Sequence, residues 1–145
     1  MSGVGSDALD FGDVLARVSR RVKVAASEAL REVGVHAGQN FLIEELARED
    51  ALTPGELARR IGVEVSTVTR AAQRMEVAGL VRRVPDPHDA RLVRVALTPE
   101  GRAIAEQLPA ILGRVYDEAL ADLTAAERAR LVDLLRRIAP RSPVH

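Results

Sequence analysis

The chain has 145 residues, 21 basic and 21 acidic, so its formal net charge is zero; 47% of its residues are hydrophobic and none is cysteine. That length suits one domain with its own core, or a domain that completes its core by pairing with a copy, and the missing cysteine excludes disulfides and thiol-based redox sensing. No apolar run reaches the roughly 20 residues of a membrane-spanning helix, and the start Met1-Ser2-Gly3-Val4-Gly5-Ser6 lacks the charged and apolar regions of a secretory signal, which predicts a cytoplasmic protein.

The first predicted element is a long helix over residues 8–33. Phe11, Val14, Leu15, Val18, Val22, Ala25, Ala26, Ala29 and Val33 keep helical spacing until Gly34 breaks it. A second helix is predicted over 37–48, burying Phe41, Leu42 and Leu46. The third opens at Thr53, whose hydroxyl suits the orphan amides of a first turn, with Pro54 at the tolerated first helical position and Glu56 completing a capping box. Leu52 and Leu57 have the spacing of a hydrophobic staple, and Gly62 suits a left-handed helix end.

After Val63 and Glu64 the pattern restarts. Val65, Val68, Ala71, Ala72 and Met75 recur as a buried stripe, which places Ser66, Arg70 and Gln73 on the opposite face with Thr67, Thr69 and Arg74 on its flanks. Such a face suits a DNA groove: arginine donates two hydrogen bonds to guanine, glutamine pairs with adenine, and hydroxyls reach phosphates or bases. A solvated helix face would also carry these residues, so the next segment matters. Gly79 stops the helix, and residues 80–84 and 92–97 read as strands flanking Pro85-Asp86-Pro87-His88-Asp89-Ala90-Arg91, a turn rich in proline and aspartate. A two-stranded ribbon beside a readout helix can place its tip in the neighbouring minor groove, where a guanidinium meets concentrated negative potential; Arg91 is the candidate.

Beyond the ribbon, Thr98 caps and Pro99 starts a long helix with Ile104, Leu108, Ile111, Leu112, Val115 and Ala119 inward and a potential kink at Pro109. Thr124 and Glu127 form another capping box, opening a last helix with Leu131, Leu134, Leu135 and Ile138 on one face; Pro140 and Pro143 mark a fraying tail. The fold class is therefore mainly α with a small antiparallel β-hairpin: a winged helix-turn-helix over 52–97, between helices over 8–48 and 98–139.

The charge is segregated. Residues 1–52 carry 6 basic and 9 acidic side chains, residues 53–97 carry 8 and 5, and residues 98–145 carry 7 and 7. The basic excess thus sits where the motif predicts DNA, and pairing two chains doubles that local field. Lys23 is the one lysine; the other cations are arginine, the better residue for bidentate readout.

Five stretches together carry a resemblance: Leu52-Thr53-Pro54-Gly55-Glu56-Leu57-Ala58, Ser66-Thr67-Val68-Thr69-Arg70, Ala78-Gly79-Leu80-Val81, Asp86-Pro87-His88-Asp89-Ala90-Arg91 and Leu97-Thr98-Pro99-Glu100-Gly101. In order and spacing they resemble the MarR family of bacterial regulators. The resemblance implies a homodimer on pseudo-palindromic operator DNA, usually a repressor, often released by a small molecule. It implies DNA contacts by Ser66, Thr67, Thr69, Arg70, Gln73, Arg74 and Arg91, with Asp89 supporting the wing. It also implies that the first, fifth and sixth helices interlock with those of a second chain. Two residues depart from the pattern. Glu64 stands where Asp or Ser is common as helix cap, and Ala90 where another arginine is frequent.

For a small-molecule cleft near the first, second and fifth helices, the candidates are His36, Phe41 and Tyr116, each of which serves equally as a core or helix-end residue. An enzyme is not expected. His36, His88 and His145 have no metal-ligand spacing, and there is no P-loop, dinucleotide fingerprint or nucleophile elbow, hence no cofactor. The alternative function is a winged helix that serves as a protein-interaction module without specific DNA binding.

Overall fold

The computed structural model describes residues 3–141; the readings that fell on Met1, Ser2, Pro143 and His145 lie outside them. The elements run α1 (Ser6–Arg31), α2 (Gln39–Arg48), α3 (Pro54–Ile61), α4 (Val65–Val77), β1 (Val81–Pro85), β2 (Val93–Leu97), α5 (Pro99–Ala119) and α6 (Ala125–Ile138). The expected mainly α architecture with one small hairpin is what forms. β1 and β2 pair antiparallel, in a register from Val81 opposite Leu97 to Pro85 opposite Val93. Leu52 adds a single bridge to Val95, its amide donating to the Val95 carbonyl at 3.1 Å and its carbonyl accepting from Val95 at 2.7 Å.

Local chemistry sets the boundaries. At α3 the Thr53 hydroxyl accepts from the Glu56 amide at 3.2 Å while the Glu56 carboxylate accepts from the Thr53 amide at 3.0 Å, and Gly62 ends the helix at φ 81°. The same reciprocal box opens α6 at Thr124 and Glu127. Thr98 caps α5 by accepting from the Gly101 amide, and its own hydroxyl donates to the Gly79 carbonyl at 2.6 Å, tying the end of β2 to the end of α4. Gly101 is buried where α5 crosses the Leu80 backbone. A Cβ there would run into the Leu80 carbonyl oxygen and lie 3.1 Å from the Leu97 side chain.

One core joins the lobe to the helices behind it: Leu30 of α1, Leu42, Ile43 and Leu46 of α2, Leu57, Val68 and Met75 of the helix-turn-helix, Val81, Val95 and Leu97 of the hairpin, and Leu108 and Leu112 of α5. Four expectations need correction. Phe41 is 52% exposed, because α2 turns Leu42, Ile43 and Leu46 inward and leaves Phe41 on another side of the helix. Val65 is exposed at the first position of α4, where there is no preceding turn to pack against it. The first helix stops at Arg31, so Val33 lies in the following turn. The second starts at Gln39, after a turn in which Gly38 takes φ 94° and the His36 and Gly38 amides donate to the Gln39 and Asn40 side chains.

The terminal helices carry their apolar stripes into solvent. Phe11, Val14, Leu15 and Val18 of α1 are exposed, Leu30 is the one buried residue of that helix, and α6 buries none while Leu134, Leu135 and Ile138 stay exposed. Helical periodicity thus continues over segments that a single chain leaves uncovered. No helix among the described residues is long and apolar enough to cross a membrane.

Candidate nucleic-acid interface

The α4 helix presents the polar face that its periodicity implies. Val68, Ala72 and Met75 are buried, whereas Ser66, Thr67, Thr69, Arg70, Gln73 and Arg74 are all exposed. Thr69 spends its hydroxyl proton on the Val65 carbonyl at 3.0 Å, which leaves its oxygen as an acceptor only. Glu64 sits at the N-cap in extended conformation with no side-chain cap, as its extra methylene suggests. The Thr67 amide donates to the Glu64 carbonyl at 3.1 Å, and no side-chain oxygen among the described residues accepts from the Val65 or Ser66 amides.

The eight arginines of the lobe fall into two groups. Arg60 pairs with Glu49 and lies 3.9 Å from Glu45; Arg83 grips Glu76 with two bonds of 3.1 Å; Arg91 meets Asp89; Arg94 meets Asp86 and Glu56. Arg59, Arg70, Arg74 and Arg82 have no carboxylate partner among the described residues. Two of these four, Arg70 and Arg74, are on the exposed polar face of α4, so its cations are uncommitted. Arg83 keeps its proton above the ordinary arginine value and Glu76 ionises below the ordinary carboxylate value, because each hydrogen-bonds the other. That pair fixes the end of α4 to β1.

At the wing tip the Arg91 side chain is 90% exposed. Asp89 holds it through three contacts, accepting from the Arg91 amide at 3.0 Å and from its guanidinium at 3.2 and 3.3 Å. Sequence reasoning treated Asp86 as a turn residue and passed over Arg94. In the structure Asp86 is the one buried carboxylate among the described residues. It accepts from the His88 and Asp89 amides at 2.8 and 2.9 Å and from Arg94, whose Nη1 also donates to the Ala51 carbonyl at 2.9 Å. The His88 amide first, then the Arg94 guanidinium, lowers the Asp86 carboxyl below its ordinary value. An aspartate opening a tight turn was a readable signal; its long-range partner was not.

Behind the lobe, α1, α2 and α5 form an open, largely apolar cleft of about 560 Å³. Phe41 and Tyr116 line it with Val18, Val22, Leu30 and the lone lysine, Lys23. His36 does not join them. It lines a separate depression of about 350 Å³ beside Thr67, Arg70 and Arg74 of α4, and Ala37 and Gly38 border both spaces.

Comparison with known proteins gives a consistent result. The model of the MarR family matches residues 33–92. The multiple antibiotic resistance protein MarR of Escherichia coli is 30% identical over 140 residues, spanning 96% of this chain and 97% of that one. The HTH-type transcriptional repressor Rv2887 of Mycobacterium tuberculosis is 27% identical over 136 residues, 94% of this chain and 97% of that one. Among solved structures, a mutant MarR from Escherichia coli complexed with operator DNA superposes with a TM-score of 0.79 at 31% identity, covering 96% of this chain and all of that one.

Proposed function

The chain belongs to the MarR family, and on that footing we propose that it is a DNA-binding transcriptional repressor that grips pseudo-palindromic operator DNA as a homodimer. One observation supports this most directly. Six polar side chains of α4 stand exposed on one face, and Arg70 and Arg74 there have no carboxylate partner among the described residues. Ser66, Thr67, Thr69, Arg70, Gln73 and Arg74 read the major groove, and Arg91, supported by Asp89, enters the flanking minor groove. Residues 52–97 form the DNA lobe, while 8–48 and 98–139 hold the two chains together. Two lobes related by a two-fold axis meet successive major grooves about 34 Å apart. The working place is the cytoplasm, no cofactor takes part, and the chain is not an enzyme.

Selection from a random DNA pool tests the reading. An inverted repeat with half-sites one helical turn apart is expected, and Arg70→Ala, Gln73→Ala and Arg91→Ala should each weaken its binding about 10-fold or more. Failure to enrich any sequence would overturn the function and favour a protein-interaction module. The cleft walled by Phe41 and Tyr116 takes a small apolar effector, which releases DNA by favouring one spacing of the lobes over another. His36 stands apart from that cleft, beside the readout helix. Titration of candidate metabolites against the DNA complex checks this, and no dissociation by any would remove the sensing role.

A further inference from the structure

The tip of the wing, residues 86–92, projects from two strands of five residues each. An isolated two-stranded ribbon is marginally stable in water, and the tip is exposed except at Asp86, which is buried, and Asp89, which is half-buried. Its hydrogen bonds are mostly to itself: the Asp86 amide donates to the Leu92 carbonyl, and the Leu92 amide to the Asp89 carbonyl, both at 3.0 Å. One route leads out of it. The amides of His88 and Asp89 converge on the Asp86 carboxylate, Asp86 binds Arg94, and Arg94 reaches the Ala51 carbonyl and comes within 3.6 Å of Glu56. Glu56 is itself locked to Thr53 by the box that opens α3. The path therefore runs from the wing tip to the first turn of the helix-turn-helix.

We propose that Asp86 and Arg94 are positioning residues for DNA binding, fixing the wing tip against the start of α3 so that Arg91 meets the minor groove when α4 lies in the adjacent major groove. This rests on the DNA-reading function above. The Asp86 side chain is only 4% exposed, so its charge requires the Arg94 partner, while Arg94 is 27% exposed and has a second anchor at Ala51. A guanidinium is the one side-chain group that meets a carboxylate with Nε and a backbone carbonyl with a terminal nitrogen in fixed relative directions. Lysine cannot make both contacts in that geometry. Neither residue touches DNA in this scheme: Asp86 is buried, and the donors of Arg94 are aimed inward.

A double-mutant cycle on the selected operator tests the assignment. Arg94→Met should weaken binding about 10-fold when Arg91 is present and less than about twofold in an Arg91→Ala background, because both changes then remove the same minor-groove contact. Arg94→Lys should behave like Arg94→Met. Equal losses in the two backgrounds, or full affinity of Arg94→Met, would overturn the proposal. If Arg94→Met unfolds because Asp86 is left unpaired, the paired variant Asp86→Asn with Arg94→Met removes both charges and carries the same expectation. Amide hydrogen exchange in the DNA-free protein reads the tie independently: exchange should rise at residues 86–92 while α3 and α4 stay protected. An even rise over the whole lobe would reduce the pair to a general stabiliser. Since this measurement uses no DNA, a failure of operator selection would count against the repressor function and not against the tie.

Discussion

At the scale of single residues, Gly101 carries a demand that no propensity argument would assign to the first turn of a helix. Its missing side chain lets the first turn of α5 pass against the Leu80 backbone, next to Leu97. Alanine would ordinarily stabilise a helix relative to glycine, but here the new methyl has backbone in front of it. Gly101→Ala should therefore lower stability by about 3 kcal/mol, at the upper end of overpacking costs, and thermal unfolding would show it; a raised Tm would mean that the crossing relaxes freely. Asp86 provides a second test, through pH. Its carboxyl ionises below its ordinary value in the folded chain, so it binds fewer protons folded than unfolded near that value. Its contribution is complete above the ordinary value and disappears as pH falls through the folded one. The Tm difference between the native chain and Asp86→Asn should consequently shrink as pH falls below the ordinary carboxylate range. A constant difference would show that the charge itself contributes nothing.

Among the elements, the ones legible in the sequence are those governed by neighbours in the chain. Thr53-Pro54-Gly55-Glu56, Thr124 with Glu127, and Gly62 marked helix ends because caps act over three or four residues. The face of α4 was legible for the same reason: Val68, Ala72 and Met75 point one way, and the readout candidates the other. What escaped depends on tertiary placement. Val65 and Phe41 have the periodicity of core residues but end where nothing covers them, and Arg94 joins Asp86 and Ala51 across 8 and 43 residues of sequence. His36 is expected beside Phe41 and Tyr116 in a cleft near α1, α2 and α5, yet it lines the separate depression beside Thr67, Arg70 and Arg74, with Ala37 and Gly38 between the two spaces. The cap of α4 is a place where the sequence can be improved. Glu64 makes no side-chain cap bond, so Glu64→Asp should raise stability by about 0.5–1 kcal/mol, measured by denaturant midpoint. A lower midpoint would imply that Glu64 has another role.

For the molecule as a whole, the exposed stripe of α1 and the unburied face of α6 set the expected assembly. Phe11 lines a shallow apolar recess with Leu131, Leu134, Leu135 and Ile138, which brings α1 and α6 to one surface. Light scattering should return twice the 15.7 kDa chain mass at micromolar concentration, and Leu135→Asp, which places a charge in that surface, should shift the protein toward the single chain. A monomer from the native sequence would remove the two-fold reading. With zero net charge overall and a basic middle segment, the pair should still lose operator affinity steeply as salt rises, since the phosphates meet only the local arginines.

The apolar stripes lie on α1 and α6, and the side chains proposed to read DNA lie between residues 66 and 91. A chain carrying Arg70→Ala and Arg91→Ala would keep the apolar stripes of α1 and α6 and lose two of the guanidinium groups proposed for readout. Produced beside the native chain, it would enter mixed pairs, each offering the operator one competent half. In genetic terms, loss of readout should be dominant, whereas loss of pairing, as in Leu135→Asp, should be recessive.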